Sequence, residues 1–432
     1  MRPNLPRGSG GAMWCQPFFW LLGLSLLLRL AWVAAKPEFT FADERWYLEI
    51  AQSLHAGEGY ECPSLRYAVR QAPGQPIFLA VWGGVFPLTP ASAKVANSLV
   101  GWLALVLMAW AMRRHTGSDS LTTAFCLLAG FHPSLLYTCA TNYPQSLQLL
   151  SVALVCVLLL RLRDAPTAAA TGRSALAAGL AVGAGALCVT TQLFMAPSIP
   201  LAAWAGRKNW LLAGMLAVAG VGLAVAPWAV RNAVVERALI PLSASGGEML
   251  YLGNNPLTVP NTTSTDAARA MDPQMKADLL ASRSAAESDQ IYQVKAMDWM
   301  KANPQKTLRL WALKTANFFR WDAGKLATEQ RRGMPAEAWI ARLTTLGVYG
   351  VYAWGIGAAL RKRHWYWPAV SLSWLILTAA AMGLFVTRYR YRLPFEPALL
   401  WVGLLGAFEA GHWWFRGIIR PCEAKHPEVS GR

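Results

Sequence analysis

Charged residues are scarce in this 432-residue chain: they make up 15% of it, against about 25% in ordinary soluble domains. Acidic residues are the scarcer sign, with 23 Asp and Glu against 40 Lys and Arg. Hydrophobic residues make up 55%, and the mean hydropathy is +0.29. Several runs approach the roughly 20 apolar residues that cross a bilayer as a helix. The composition excludes a soluble globular protein and predicts an all-α, polytopic membrane protein.

The chain also lacks any cysteine pattern. Its seven cysteines form no CxxC pair and no cluster with histidine, and five of them lie in or beside apolar runs. Such cysteines are most simply small buried hydrophobes. We therefore expect no disulfide and no zinc site.

The excess of positive charge indicates membrane topology and not nucleic-acid binding, because the basic residues cluster between the hydrophobic runs. We predict about ten spans, at 14–35, 92–112, 120–138, 145–160, 175–191, 194–205, 210–230, 338–360, 365–385 and 393–408. With the N-terminus inside, the basic clusters at 113–115, 161–173, 207–208, 361–363 and after residue 416 all face the cytoplasm.

The spans divide the chain into an N-terminal membrane module (1–230, with a first outer loop at 36–91), an outer-face region (231–337), C-terminal membrane helices (338–415) and a cytoplasmic tail (416–432).

Four shorter segments and one helix start are also assigned. Residues 165–174 are rich in Ala and Thr, which predicts a loop, and the Asp272–Pro273 pair predicts the start of a helix. Residues 76–88 are apolar but too short to span, which indicates an interfacial or re-entrant segment. Residues 246–256 predict a turn-rich loop. Residues 305–321 are apolar but contain four cations, which predicts an interfacial helix.

The first outer loop contains a candidate catalytic pair, Asp43 and Glu44, at the start of a predicted amphipathic helix. Apolar residues at 47, 50, 51 and 54 have helical spacing, and glycines at 57 and 59 end the pattern. Asp43 has two possible roles: a helix N-cap, or a general base at a membrane-surface active site.

The predicted outer face carries arginines that break the charge rule, at 66, 70, 388, 390 and 392. They either anchor the protein to anionic head groups or form a phosphate site, where the guanidinium supplies paired donors.

Four segments resemble motifs of the GT-C superfamily of integral-membrane glycosyltransferases. They are Asp43–Tyr47 (DERWY), Arg70–Pro76 (RQAPGQP), Gly247–Pro256 (GEMLYLGNNP) and Arg390–Pro394 (RYRLP). The resemblance covers nearly the whole chain and is strongest to bacterial relatives of protein mannosyltransferases and aminoarabinose lipid A transferases. It implies inverting transfer of a sugar from a polyprenyl phosphate to an acceptor at the outer face of the bacterial inner membrane.

The resemblance also implies roles for particular residues. Asp43 is the expected base and Glu44 a supporting carboxylate. The expected donor-phosphate ligands are Arg70, Lys314, Arg390 and Arg392. The expected sugar or acceptor contacts are Tyr47, Tyr391 and Gln145. His132, which precedes a proline, is expected to be a packing or helix-end residue.

The chain departs from the family at Gln145, which stands where many relatives have an acidic residue. An amide is a poor base and a weak metal ligand, which weakens the case for metal dependence. The sequence does not establish any cofactor, and a divalent metal remains possible. Two other functions stay open. A lipid-linked sugar flippase is disfavoured because the chain shows no internal repeat, and a non-catalytic assembly subunit with the same fold is supported only by Gln145.

Overall fold

A computed structural model describes residues 16–39, 41–139, 141–260, 269–320 and 336–411, so the predicted tail at 416–432 lies outside it. Within these ranges all regular structure is helical. The helices are α1 (Pro17–Ala35), α2 (Ala42–Ala56), α3 (Gly74–Gly83), α4 (Pro90–Thr116), α5 (Asp119–Gly130), α6 (Pro133–Cys139), α7 (Gln145–Arg163), α8 (Ala168–Ala186), α9 (Ser198–Ala205), α10 (Trp210–Val235), α11 (Gly246–Gly253), α12 (Pro273–Ala281), α13 (Ala285–Ala302), α14 (Pro304–Phe318), α15 (Ala336–Arg361), α16 (Tyr366–Leu384), α17 (Tyr389–Arg392) and α18 (Glu396–Glu409).

Six of the described helices are long and apolar enough to cross a membrane: α1, α4, α7, α10, α15 and α16. Each coincides with a predicted span. The prediction of an all-helical, multi-pass membrane protein is therefore confirmed. The four remaining predicted spans coincide with shorter or less apolar helices, namely the α5–α6 pair, α8, α9 and α18.

Two boundaries differ from the prediction for a local reason. The loop predicted at 165–174 is helical from Ala168, because the hydroxyl of Thr167 caps α8 by accepting a hydrogen bond from the Ala170 backbone N–H at 3.1 Å. The predicted span at 194–205 is a 3-10 turn (Thr190–Met195) followed by the eight-residue α9. Eight helical residues extend only about 12 Å.

Helices α8 and α10 pack with their backbones almost in contact. A Cβ atom added at Gly179 would lie 2.2 Å from the Ala217 carbonyl oxygen, and one added at Gly220 would lie 2.4 Å from the Leu176 carbonyl oxygen. Inside a membrane, where the hydrophobic effect does not drive helix association, such small residues give close van der Waals packing. The glycines therefore allow these two helices to pack closely.

The region after α10 is more ordered than a turn-rich loop. Residues 246–253 form α11, so the loop predicted there is wrong. The Asp289 carboxylate caps this helix by accepting hydrogen bonds from the backbone N–H groups of Gly247 and Glu248 at 3.0 and 3.1 Å. The predicted helix start at Asp272 is confirmed, since its carboxylate accepts a hydrogen bond from the Met275 N–H at 2.6 Å. The segment predicted as an interfacial helix at 305–321 is helical from Pro304 to Phe318, as α14.

The bundle has two distinct ends. Helix α7 begins beside α2, where the Asn142 backbone donates to the Glu44 carboxylate, and extends about 28 Å. At its far end Arg163 pairs with Glu409, the last residue of α18, at 2.7 Å. The predicted catalytic carboxylates and the basic ends of α4 and α7 thus lie at opposite ends of the bundle.

Candidate active site

The start of α2 places Asp43 and Glu44 in its first turn. Phe41 occupies the N-cap position, so the interpretation of Asp43 as the N-cap is wrong. Glu44 is the third helical residue, and its carboxylate reaches back to accept a hydrogen bond from the Phe41 backbone N–H at 3.1 Å. Both carboxylates lie near the positive end of the helix dipole, which stabilises their charge.

Glu44 is fully buried and ties α2 to the segment between α6 and α7. Its second carboxylate oxygen accepts a hydrogen bond from the Asn142 backbone N–H at 2.8 Å, and the Asn142 amide donates to the Glu44 carbonyl at 2.8 Å. The Asn142 side-chain oxygen in turn accepts from Gln75 at 2.9 Å and from Asn97 at 3.3 Å. Glu44 therefore positions a neighbouring segment and lies away from the surface.

Asp43 faces the other way, toward Arg390. The Asp43 Oδ2 atom lies 3.5 Å from Arg390 Nη1, and the two side chains are 34% and 28% exposed. The Arg390 guanidinium lies over the Tyr143 ring at 4.7 Å and near the Tyr391 ring at 5.4 Å. Its Nε atom is buried and has no hydrogen-bond partner. The arrangement leaves the Asp43 carboxylate and part of the Arg390 side chain accessible beside the rings of Tyr143 and Tyr391.

The charges at this site perturb the neighbouring phenols. Burial raises the pKa of Tyr47, and the nearby Arg390 opposes that rise only in part. Burial would also raise the pKa of Tyr391, but Arg390 and Arg388 outweigh it and hold that pKa below its usual value. Burial would lower the pKa of Arg390, yet contact with Tyr391, Tyr143 and Asp43 raises it. Arg390 is thus a permanent cation.

Arg392 lies in a separate, fully buried cluster. Its Nε atom is 3.0 Å from a Glu396 carboxylate oxygen, and the other oxygen lies 2.8 Å from His132 Nε2. Arg392 Nη1 also donates to the carbonyls of Phe318 and Arg320 at 2.6 Å each. His132 is therefore buried, as expected for a packing residue, and it also contacts the carboxylate of the Arg392–Glu396 pair. The donors of Arg392 are occupied within the protein.

Two other predicted phosphate ligands are also engaged elsewhere. Arg70 forms an ion pair with Glu248 of α11. Lys314 is buried, and its ammonium donates to the Gly253 carbonyl at 2.8 Å, with Asn254 Oδ1 and the Leu384 carbonyl at 3.5 Å. Burial lowers the pKa of Lys314 to about 8. Residues 247–256 thus have a structural role. The backbone of Gly253 packs against the Phe385 carbonyl so closely that a Cβ atom at this position would lie 2.6 Å from the carbonyl oxygen.

Gln145 lies two residues from Tyr143, at the start of α7, where it is buried and its Oε1 atom has no partner. The structure therefore brings together Asp43, Arg390, Tyr47 and Tyr391, and Gln145 follows two residues after Tyr143, which contacts Arg390. Sequence reasoning missed Tyr143. The signal for it was its position two residues before Gln145, where the resemblance implies an acidic residue.

In the described part of the chain, no group of three or more His, Cys, Asp and Glu side chains is placed to hold a metal ion. Asp43 is the accessible oxygen ligand of this site, since Glu44 is occupied by backbone N–H groups. The residues present therefore do not form a metal cage of their own.

No family model matches the sequence, and no curated protein matches it either. Two solved structures of ArnT from Cupriavidus metallidurans are similar to this chain, one bound to undecaprenyl phosphate and one in the apo state. Their TM-scores are 0.47 and 0.45, with 16% sequence identity over 90% of this chain and 77% of theirs.

Proposed function

We propose that this protein is a glycosyltransferase that moves a sugar from a polyprenyl-phosphate donor to an acceptor hydroxyl or amine. The observation that carries the proposal is the accessible Asp43–Arg390 pair, 3.5 Å apart and bordered by Tyr143 and Tyr391. A carboxylate can take a proton, and a guanidinium can hold a phosphate. Aromatic side chains supply flat apolar surface for a sugar or a lipid.

In the proposed reaction the acceptor oxygen or nitrogen forms a bond to the anomeric carbon as the bond from that carbon to the phosphate oxygen breaks. The bonding electrons leave with the phosphate, whose developing charge Arg390 stabilises. Asp43 takes the proton that the acceptor loses. Attack from the face opposite the phosphate inverts the anomeric configuration.

The geometry adds a condition on donor binding. A sugar cannot lie between two groups that are 3.5 Å apart. The donor phosphate therefore has to draw Arg390 away from Asp43 before the acceptor can approach the carboxylate. In this proposal the donor itself frees the base, and Arg390 exchanges one anionic partner for another.

The proposed setting is the bacterial inner membrane, with both termini in the cytoplasm and the Asp43 end of the bundle at the outer face. That orientation follows from the basic ends of α4 and α7, which would then obey the positive-inside rule. The proposed partners are the lipid-linked donor, membrane lipid and an acceptor that is a protein, glycan or glycolipid.

The test is a transfer assay with the purified full-length protein, a panel of radiolabelled polyprenyl-phosphate sugars and membrane extract as acceptor. Asp43→Asn should lower transfer by about 10²-fold or more while the labelled donor is still retained. Arg390→Gln should lower donor retention as well as transfer, because it removes the phosphate ligand. Glu58→Gln, an exposed carboxylate just beyond α2, is the matched control and should leave both unchanged.

Transfer that survives in Asp43→Asn would remove Asp43 as the base. Tight donor binding by wild type without consumption of any donor in the panel would overturn the enzyme proposal, and it would favour the flippase or assembly-subunit alternatives.

A further inference from the structure

A cleft of about 1060 Å³ lies at the end of the bundle opposite Asp43. It is formed by the C-terminal parts of α4 and α7 and the first half of α8. The cleft is lined by α7 from Val157 onward, roughly 18–27 Å along the helix axis from Gln145 at its start. The cleft therefore belongs to a different surface of the molecule and has no role in the proposed reaction.

Three arginines from three different helices line this cleft: Arg114, Arg161 and Arg173. All three are exposed, and within the described ranges none has a carboxylate within ion-pair distance. The neighbouring arginines do have acidic partners: Arg113 pairs with Asp119 at 2.7 Å and Arg163 pairs with Glu409 at 2.7 Å. Because the nearby acids are already used, the three lining cations remain available to an external anion.

The acid in the cleft does not neutralise them. Asp164 lines it too, but its carboxylate lies 3.2 Å from Arg163 and 3.6 Å from His115. Glu409 contacts the same two residues, at 2.7 Å from Arg163 and 3.2 Å from His115, so both acids are engaged away from the three lining arginines.

The rest of the wall is apolar. Trp110 is 46% exposed, and Leu158 and Ala177 lie beside it. The Arg114 guanidinium lies 5.7 Å from the centre of the Trp110 ring. Helices α4 and α7 are both long and apolar enough to cross a membrane, and an exposed Trp near a helix end is typical of the membrane interface. A soluble anion would leave that wall unused.

We propose that the cleft binds an anionic glycerophospholipid, with its phosphate between Arg161 and Arg173 and its acyl chains against Trp110 and Leu158. Basic pockets between membrane helices are suited to such head groups, and the guanidinium geometry matches a phosphate. The lipid would fill the gap between α4, α7 and α8 and link the three helices at this end of the bundle.

The test compares two double variants of the full-length protein in neutral detergent micelles. Arg161→Gln with Arg173→Gln removes two charges from the cleft. Arg361→Gln with Lys362→Gln is the matched control, because both residues are exposed at the C-terminal end of α15. That end lies beside the end of α18, since a Cβ atom added at Gly406 would lie 3.7 Å from Ala359 Cβ. Binding of phosphatidylglycerol and of phosphatidylcholine is measured by native mass spectrometry.

The cleft variant should bind phosphatidylglycerol about tenfold or more weakly, with phosphatidylcholine binding unchanged, and the control should bind both lipids as wild type does. An equal loss in both variants would mean diffuse surface attraction and would overturn the proposal, as would no loss in either. Displacement of the lipid by millimolar inorganic phosphate would assign the site to a soluble anion instead. Arg173→Gln alone, with an expected loss of a few-fold, replaces the double variant if the latter does not fold.

Discussion

Arg390 and Arg392 lie two residues apart in the short helix α17, yet they belong to different kinds of charge cluster. Arg390 meets a partly exposed Asp43 at 3.5 Å, and one of its nitrogens has no partner. Arg392 is 1% exposed and bonded to Glu396 and to two backbone carbonyls. Residues two apart point about 200° apart around a helix. One face of α17 therefore serves the candidate site and the other the core.

The carboxylates of α2 divide in the same way. Asp43 and Glu44 are neighbours about 100° apart around the helix, and one is one-third exposed while the other is fully buried. A charged group that is accessible and loosely paired is available for substrate. A charged group that is buried and saturated with hydrogen bonds holds the structure around it. We therefore predict that substitutions of the accessible Asp43 and Arg390 lower activity, whereas substitutions of the buried Glu44 and Arg392 lower stability.

The largest expected effect is on the buried cluster. Arg392→Gln leaves Glu396 as a buried carboxylate with one ion-pair partner fewer, which should lower the free energy of unfolding by about 3–5 kcal/mol. Arg390→Gln is the matched control and should lower it by less than about 1 kcal/mol, because that pair is partly exposed. Thermal unfolding of the detergent-purified variants measures both. Equal losses would contradict the conclusion that the Arg392 cluster stabilises the fold more than the Arg390–Asp43 pair does.

The second effect separates the two carboxylates of α2. Glu44→Gln replaces one acceptor oxygen by a donor beside backbone N–H groups, which should destabilise the fold by about 1–3 kcal/mol. Asp43→Asn should leave the unfolding temperature within experimental error. Thermal unfolding, measured together with the transfer assay, distinguishes a variant that is unfolded from one that is folded but inactive. A stable Glu44→Gln protein would contradict the positioning role of Glu44.

The smallest effect concerns Lys314, a buried cation that, unlike an arginine, can lose its proton. Burial lowers its pKa from 10.5 to about 8, so the unfolded chain binds more protons than the native one between those pH values. Stability should therefore rise with pH above about 8, by about 1 kcal/mol per pH unit. Unfolding measured from pH 7 to 9.5 tests this.

Lys314→Met is the control for that measurement. It should unfold at a lower temperature overall, because the Gly253 carbonyl loses its donor, but with the rise above pH 8 abolished. A rise that persists in the variant would have to come from another group.

Much of the architecture was predictable because it depends on local pattern. Apolar length identified the six spanning helices, the spacing of Tyr47, Ile50 and Ala51 predicted α2, and the Asp272–Pro273 pair marked the start of α12. The loop predicted at 246–256 is wrong over 246–253 because the prediction treated the glycines there as a sign of turns. Those glycines allow close approach of Asp289 and Phe385 to a helix, which is a tertiary requirement.

The roles of individual charged residues were much harder to predict. The sequence assigned four cations to a donor phosphate, but the structure pairs Arg70 with Glu248 and encloses Lys314 among carbonyl oxygens. These partners are distant in the chain, so no local pattern contains them. Tyr143 was missed for the same reason, since its contact with Arg390 joins segments almost 250 residues apart.

By itself, the sequence determined that this chain is a helical membrane protein with its acidic pair and its basic clusters at different ends of the spans. Hydropathy and charge are sums over neighbouring residues, and they can be evaluated without knowing the fold. Tertiary structure alone decided that Asp43 meets Arg390 while Glu44 and Arg392 are buried. Asp43 and Glu44 are adjacent in the chain, and Arg390 and Arg392 are two residues apart. Only packing determines which member of each pair stays in contact with solvent and which exchanges water for hydrogen bonds within the protein.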